Sequence, residues 1–333
     1  MVSCFIYKKL APRLNLIDCP KKETRKQHDG TPAQVGGLGI FTALFALLIL
    51  GVTIPKALIV GMSMFLVLGI YDDAFHIPAF QKLILQIIMT TIIISALGYN
   101  LKNLGYLLDK TDIFQLADWS FAITLIATIA FINAFNLIDG LDGFAGGMTA
   151  ITLSLCALIS CTAGLTSLTT TLLVIISALI GFLIFNMRSP LRKKASIFLG
   201  DGGSLCIAFM LCWTAIELAN NFPRHNDIMP QPLALAFFLA YPIYDMLSVM
   251  TLRKLKGKSI FAPDNLHLHF MLKSKTRTDG RVCVMLLCLH AVYCAAGLLS
   301  WKYGFSSLTT IALWGALAGA HFSIYKAFAK NRH

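Results

Sequence analysis

The sequence predicts an all-α polytopic membrane protein with about ten transmembrane helices. Three observations lead there. Apolar residues make up 57% of the 333 and charged residues 13%, with a mean hydropathy of +0.72, more apolar side chain than a water-facing surface can hide. Apolar runs recur from Val35 to Phe328 with no polar stretch long enough to fold alone, so one membrane domain over 1–333 is expected. The basic residues fall in short segments between those runs, the pattern of membrane topology.

A helix needs ~20 apolar residues to cross ~30 Å of hydrocarbon. On that rule the candidate spans are 35–54, 57–71, 82–99, 119–135, 146–163, 167–185, 203–219, 232–252, 282–299 and 305–328. The first follows a polar segment, 1–34, whose opening MVSCFIYKKL is too short in apolar residues for a span or a signal peptide. That places 1–34 in the cytoplasm. The second run closes on Asp72 and Asp73, and the third opens at Lys82. The segments 100–118 and 220–230 read as simple connectors on the outer side. Residues 253–281 form the longest cytoplasmic loop.

With the N-terminus inside, only Lys56, Lys102, Lys110, Arg224 and Lys302 of the 28 Lys and Arg fall outside. This asymmetry satisfies the positive-inside rule and removes nucleic acid as the reason for a net charge of +12. Seven of the nine cysteines, Cys156, Cys161, Cys206, Cys212, Cys283, Cys288 and Cys294, lie in apolar runs without a CxxC pair. They read as small packing residues.

Topology makes the acids informative. Asp72, Asp73, Asp139, Asp142 and Asp201 all fall at cytoplasmic ends of expected spans, in three separate segments. Carboxylates at that boundary are costly unless solvated, paired or bound to a cation, so a convergent set points to a metal-dependent site beside phosphate-binding basic loops. The Asp72–Asp73 pair alone fits a solvated helix end equally well. In NAFNLIDGLDGFAGG, Asn133, Asn136, Asp139 and Asp142 recur every third residue, which on a continuous helix lines them along one face. The alternative is an Asx-rich cap on the next span. Asp201 sits in FLGDGGSL between two glycines, where a Gly-rich turn with an N-cap is the alternative.

Asp264, His267 and His269 lie in SIFAPDNLHLHF. Their spacing is not that of a helical zinc pair, and loop histidines facing water are the alternative. Asp245, inside an apolar span, is either a structural hydrogen-bonding residue or part of a site wall. His290 and His321 read as core residues. A lipid-linked sugar or ion transporter is the competing class, but transporters place polar residues near mid-bilayer in broken helices, and here the acids gather at one face.

Five blocks in fixed order, RKQHDGTPAQVGG, GIYDDAF with QKLILQ, NAFNLIDGLDGFAGG, FLGDGGSL and SIFAPDNLHLHF, resemble the polyprenyl-phosphate N-acetylhexosamine-1-phosphate transferases. The likeness is closer to the WecA-type members than to the phospho-MurNAc-pentapeptide transferases, which stay the alternative along with a different UDP-amino sugar donor. The resemblance implies ten or eleven helices around a cytoplasmic active-site cleft in the bacterial inner membrane. It implies transfer of N-acetylglucosamine 1-phosphate from UDP-GlcNAc to undecaprenyl phosphate with release of UMP. That step initiates a cell-surface glycan of O-antigen, enterobacterial common antigen or teichoic acid type.

Carried over by position, the resemblance implies that Asp72 and Asp73 lie near the lipid phosphate and its metal, that Lys82 holds phosphate, and that Asp201 ligates Mg²⁺, with Mn²⁺ as a substitute. It assigns Asn136, Asp139 and Asp142 to donor binding and catalysis, Asn186 and Phe198 to the uracil, and His267 and His269 to the donor diphosphate. Phe270 replaces the last histidine of the family's HxHH motif and Asn265 replaces an arginine. Lys258, Lys273 or Arg192 is expected to compensate. A homodimer is compatible with all of this.

Overall fold

The computed structural model describes residues 1–18, 32–49, 51–106, 112–188, 194–221, 230–260, 265–276 and 278–330. Its helices in chain order are α1 (Val2–Leu10), α2 (Gly36–Ile49), α3 (Lys56–Phe75), α4 (Ala79–Leu97), α5 (Trp119–Ile138), α6 (Phe144–Thr162), α7 (Thr166–Asn186), α8 (Gly200–Asn221), α9 (Pro232–Leu235), α10 (Ala240–Leu255), α11 (Leu268–Thr276), α12 (Asp279–Lys302) and α13 (Ser307–Lys330). A 3₁₀ turn, Ala236–Leu239, joins α9 to α10. Four short strands complete the set: β1 (Ala33–Gln34), β2 (Asn103–Tyr106), β3 (Ile113–Gln115) and β4 (Ile197–Phe198).

Among the described residues, nine helical segments are long and apolar enough to cross a membrane. The chain is therefore an all-α polytopic membrane protein, as its composition requires. The expected spans recur within a few residues of each end, with two exceptions. Among the described residues of the first, only Gly36–Ile49 is helical, about 21 Å at 1.5 Å per residue. It begins after β1, and Gly51 beyond it takes a positive φ of 75°. The second is longer than expected: α3 runs 20 residues and carries Asp72 and Asp73 on its own last turn instead of after it. His76, at φ 58°, is the left-handed residue that stops it.

The chain forms two compact units. The first comprises Met1–Tyr99 and Ala145–Trp213, the second Asn100–Phe144 and Thr214–His333. Neither is one continuous segment, and α6 and α8 cross the boundary. In the first unit α2 packs on α1 and α7, and α3 on α4. Gly69 of α3 faces the start of α8 so closely that a Cβ there would stand 2.3 Å from the Asp201 carbonyl oxygen, which lets the two backbones touch. Phe65 stacks on Phe209 at 5.3 Å between the same helices. The outer side of α4 leaves Ile84, Leu85, Ile87, Ile88 and Ile92 exposed, as a lipid-facing surface requires.

In the second unit α10 packs on α5, α12 and α13, and α11 lies on α12. Its centre is aromatic: Tyr241 and Tyr244 are buried, and Tyr244 lies edge-on to Tyr293 and Trp314. The segment 100–118 is more than a connector. β2 and β3 pair there as an antiparallel hairpin, tied to the 230s by Gln231, whose side chain accepts the Tyr106 amide at 3.1 Å. All cysteines among the described residues are free; six are buried, whereas Cys161 and Cys288 are exposed.

Candidate active site

Two polar clusters carry the residues singled out by sequence, one within each unit. The first is built on the α3–α4 turn and the start of α8. Asp72 lies in the last turn of α3, where its Oδ1 accepts the Ile77 amide at 2.8 Å, and this bond holds the chain as it turns into α4. Lys82, in the first turn of α4, comes back across that turn. Its ammonium lies 2.6 Å from Asp72 Oδ2 and 2.7 Å from Asp201 Oδ2. One cation thus holds two carboxylates from segments 119 residues or more apart in sequence.

Asp73 does different work. Its two oxygens accept the backbone N–H groups of Asp201, at 3.0 Å, and Gly202, at 3.1 Å. A carboxylate at a helix N-terminus meets both the unpaired amides and the positive end of the helix dipole. Asp73 therefore locks α3 to α8 and fixes where Asp201 stands. Gly200, at φ 74°, makes room for it: a Cβ would lie 2.8 Å from Asp73 Oδ2, and the backbone there is one that other residues adopt only with strain.

The same unit brings together blocks whose partners the sequence did not reveal. β1 runs parallel to β4, with Ala33 opposite Ile197 and Gln34 opposite Phe198. The second half of RKQHDGTPAQVGG is thereby paired with the approach to FLGDGGSL; residues 25–31 of the first block lie outside the described residues. Asn186, at the end of α7, donates to the Ile197 carbonyl at 2.9 Å, so Asn186 and Phe198 are neighbours through one short strand.

The fit of a divalent cation to this cluster rests on its donors. Asp72 and Asp201 offer hard oxygens that converge on a point already occupied by positive charge. Among the described residues no three His, Cys, Asp or Glu side chains form a metal-binding group. If Asp72 and Asp201 were to hold a cation with phosphate and water, their hard oxygens would suit Mg²⁺ better than a cation needing an all-protein cage.

The second cluster surrounds the HLHF block. His267 Nδ1 lies 2.6 Å from Asp245 Oδ2, and the Leu268 amide donates to Asp245 Oδ1 at 3.2 Å. Tyr325 donates its hydroxyl to the same Oδ1. The two readings of Asp245 left open by sequence are thereby joined: it is a buried hydrogen-bonding residue that holds a candidate site residue. His269 is 2% exposed, stacks on His267 at 5.9 Å, and among the described residues neither of its ring nitrogens has a hydrogen-bond partner. Burial pushes its imidazole down to about 4, and His267 and Lys273 act in the same direction against Asp245. Such a ring is neutral at neutral pH and is short of the hydrogen bonds that a buried polar group normally has.

The loop expected to place Asn133, Asn136, Asp139 and Asp142 on one helical face does so only in part. Asn133 and Asn136 lie on α5, but α5 ends at Ile138, with Asp139 as its C-cap at ψ 46°. Asp142 lies in the turn before α6. Gly143, at φ 80°, turns the chain there, and the glycine at 140 lets His269 approach, since a Cβ would stand 2.7 Å from His269 Nε2. All four polar side chains remain half-buried. Of the cations expected to compensate for Phe270 and Asn265, Lys273 pairs with Asp279 at 3.2 Å and Lys258 is exposed. Arg192, like Asp264, lies outside the described residues. His321 accepts or donates at 2.7 Å with the Tyr293 hydroxyl, in keeping with its reading as a core residue.

Residues 56–219 match the profile of Glycosyl transferase family 4, a stretch that includes every residue of the first cluster and stops before Asp245. The chain is 27% identical over 321 residues to an undecaprenyl-phosphate alpha-N-acetylglucosaminyl 1-phosphate transferase of Yersinia pestis, covering 96% of this chain and 84% of that protein. It is 28% identical over 301 residues to the protein of that name from Escherichia coli K12, covering 89% and 79%. A probable undecaprenyl-phosphate N-acetylglucosaminyl 1-phosphate transferase of Bacillus subtilis is 31% identical over 273 residues, covering 80% of this chain and 72% of that protein.

Proposed function

The chain belongs to glycosyl transferase family 4, and from that premise we propose that it transfers N-acetylglucosamine 1-phosphate from UDP-GlcNAc to undecaprenyl phosphate. The products are UMP and the lipid diphosphate sugar that begins a cell-surface glycan. The observation that carries this reading is Lys82 held between Asp72 and Asp201, one cation between two carboxylates at span ends in a chain whose relatives carry that activity in their names. The enzyme works in the bacterial inner membrane with these span ends on the cytoplasmic side, in keeping with the distribution of Lys and Arg.

The reaction sets a lipid phosphate monoester against a diphosphate, and both are anionic. Mg²⁺, or Mn²⁺ in its place, when held by Asp72 and Asp201 supplies charge neutralisation between them. Lys82 contributes an ammonium beside the same phosphates. A lipid phosphate oxygen attacks the phosphorus that bears the sugar, the bond from that phosphorus to the oxygen bridging it to UMP breaks, and UMP leaves with the electron pair. Asp72 accepts or steers the acceptor's proton. Asp73 keeps Asp201 in place through the two amides it holds. Asn136, Asp139 and Asp142 serve donor binding, Asn186 and Phe198 the uracil, and His267 and His269 the diphosphate.

The test is to incubate the purified protein in detergent with undecaprenyl phosphate, Mg²⁺ and a panel of UDP-sugars and to follow UMP. UDP-GlcNAc is expected to support release, and Asp201→Asn to abolish it. No release with any donor, together with an Asp201→Asn variant indistinguishable from wild type, overturns the reading. Recovery of a sugar-phosphate adduct on Asp72 from a donor-only reaction would instead replace direct attack by a covalent route.

A further inference from the structure

Asp245 is 0% exposed in the middle of an apolar helix, a position where an ionised carboxylate persists only if its lone pairs are filled. They are filled from two other elements. Oδ2 meets His267 Nδ1. Oδ1 takes the Leu268 backbone amide and the hydroxyl of Tyr325, which α13 brings from 80 residues away. The Tyr325 oxygen in turn receives the Leu268 amide at 2.8 Å. The residue before α11 is thus clamped to α10 and α13 by three hydrogen-bonding groups around one carboxylate.

A carboxylate accepts and does not donate, so Nδ1 of His267 must carry the hydrogen. Nε2 is then the lone-pair nitrogen of the neutral ring or the free N–H of the imidazolium. The His267 side chain keeps 5% of its surface open, whereas its Nδ1 edge is committed. We propose that Asp245, braced by Tyr325, is a positioning residue that fixes the ring plane and the Nδ1–H tautomer of His267, so that Nε2 is the nitrogen presented to the donor diphosphate. The assignment of a diphosphate rests on the transferase reading; the clamp itself rests on the hydrogen bonds.

Asp245→Asn tests this with almost no change in volume. Its amide has one acceptor oxygen where the carboxylate had two. Two donors, the Leu268 N–H and the Tyr325 hydroxyl, face the Oδ1 side against the single Nδ1 of His267 on the other, and together they claim that oxygen. The new NH₂ therefore faces His267 and forces Nδ1 to become the acceptor, reversing the tautomer. Turnover is expected to fall about 10–100-fold, with the KM for undecaprenyl phosphate unchanged. The ¹⁵N histidine spectrum, assigned by difference against His267→Gln, should change from Nδ1–H to Nε2–H. Tyr325→Phe should give a smaller loss of turnover with the tautomer kept. Tyr293→Phe, which removes a buried hydroxyl bound to His321, should leave both readouts at wild-type values.

A folded Asp245→Asn protein with wild-type turnover, or with its His267 tautomer unchanged, overturns the proposal. So does a Tyr293→Phe variant that loses as much turnover as Asp245→Asn, because the effect would then be general loosening of the core. Should Asp245→Asn fail to fold, the wild-type spectrum decides: Nδ1–H supports the clamp and Nε2–H refutes it. A wild-type protein that releases no UMP defeats the transferase reading separately, and the spectrum still tests the clamp.

Discussion

The two polar clusters solve opposite problems. In the first unit, Asp72, Lys82 and Asp201 meet as charges, with the Asp201 side chain still 35% exposed, so on the proposed function a phosphate or a divalent cation would compete directly with what is there. In the second unit, Asp245, His267 and Tyr325 are sealed in, and their partners are a backbone amide and two rings. The first arrangement is a net-negative cluster that, on the proposed function, substrate phosphates and a cation would rearrange. The second is a fixed geometry that, on the same reading, the donor would meet. A substitution should therefore act through net charge in one cluster and through position in the other.

The largest effect is expected where charge is removed. Lys82→Met leaves Asp72 and Asp201 facing each other without a cation, and UMP release should fall about 10²–10³-fold, the loss typical of a single electrostatic contact to developing charge. Lys82→Arg should restore little, since a planar fork does not place its charge at the one point that both oxygens now share. An equally large loss with Asp72 and Asp201 both changed to Asn and Lys82 retained would fit this account; full activity in Lys82→Met would break it.

Two glycines sharpen the contrast. At Gly69 an added methyl would meet the carbonyl oxygen of Asp201, and at position 140 it would meet the ring edge of His269. A backbone cannot step aside, so Gly69→Ala should separate α3 from α8 and cost about 1–3 kcal/mol of stability, measured as a lowered unfolding temperature in detergent, with activity lost alongside. A ring can rotate, so Gly140→Ala should leave stability near wild type and act on the KM for the UDP-sugar. Equal unfolding temperatures for the two variants would show that α3 and α8 are not held in contact.

These contrasts also mark what the sequence could and could not reveal. Hydropathy located the spans because a bilayer imposes a length that shows in one dimension. Asp72, Asp73 and Asp201 stood out because acids are rare beside such runs. Which of them meet did not stand out: Lys82 reaches Asp201 across 119 residues, and β1 and β4 are two residues each, too short to show any alternation. Asp245 was visible as an acid in an apolar span, but no periodicity names a tyrosine 80 residues on as its partner. The end of α5 was misread because a three-residue spacing suggests one helical face, whereas the glycines among NLIDGLDG stop the helix after Ile138. Water-facing loop histidines were the alternative open for HLHF, and both His267 and His269 are buried.

The smallest expected effect concerns His269. Its folded imidazole titrates near 4, below the ordinary value of about 6.5. Between those values the unfolded chain binds a proton that the folded protein does not, so stability rises with pH across the window and is lost as the pH falls from about 6.5 toward 4. From about pH 7 to about pH 6 the expected loss is on the order of 1 kcal/mol. His269→Gln removes the titrating group and should flatten that part of the unfolding-temperature profile relative to wild type. Lys82→Met should not flatten it, since it alters the other cluster. A His269→Gln profile parallel to wild type over the same interval would mean that His269 is solvated in the folded protein, and would remove the distinction between a sealed cluster and an exchangeable one.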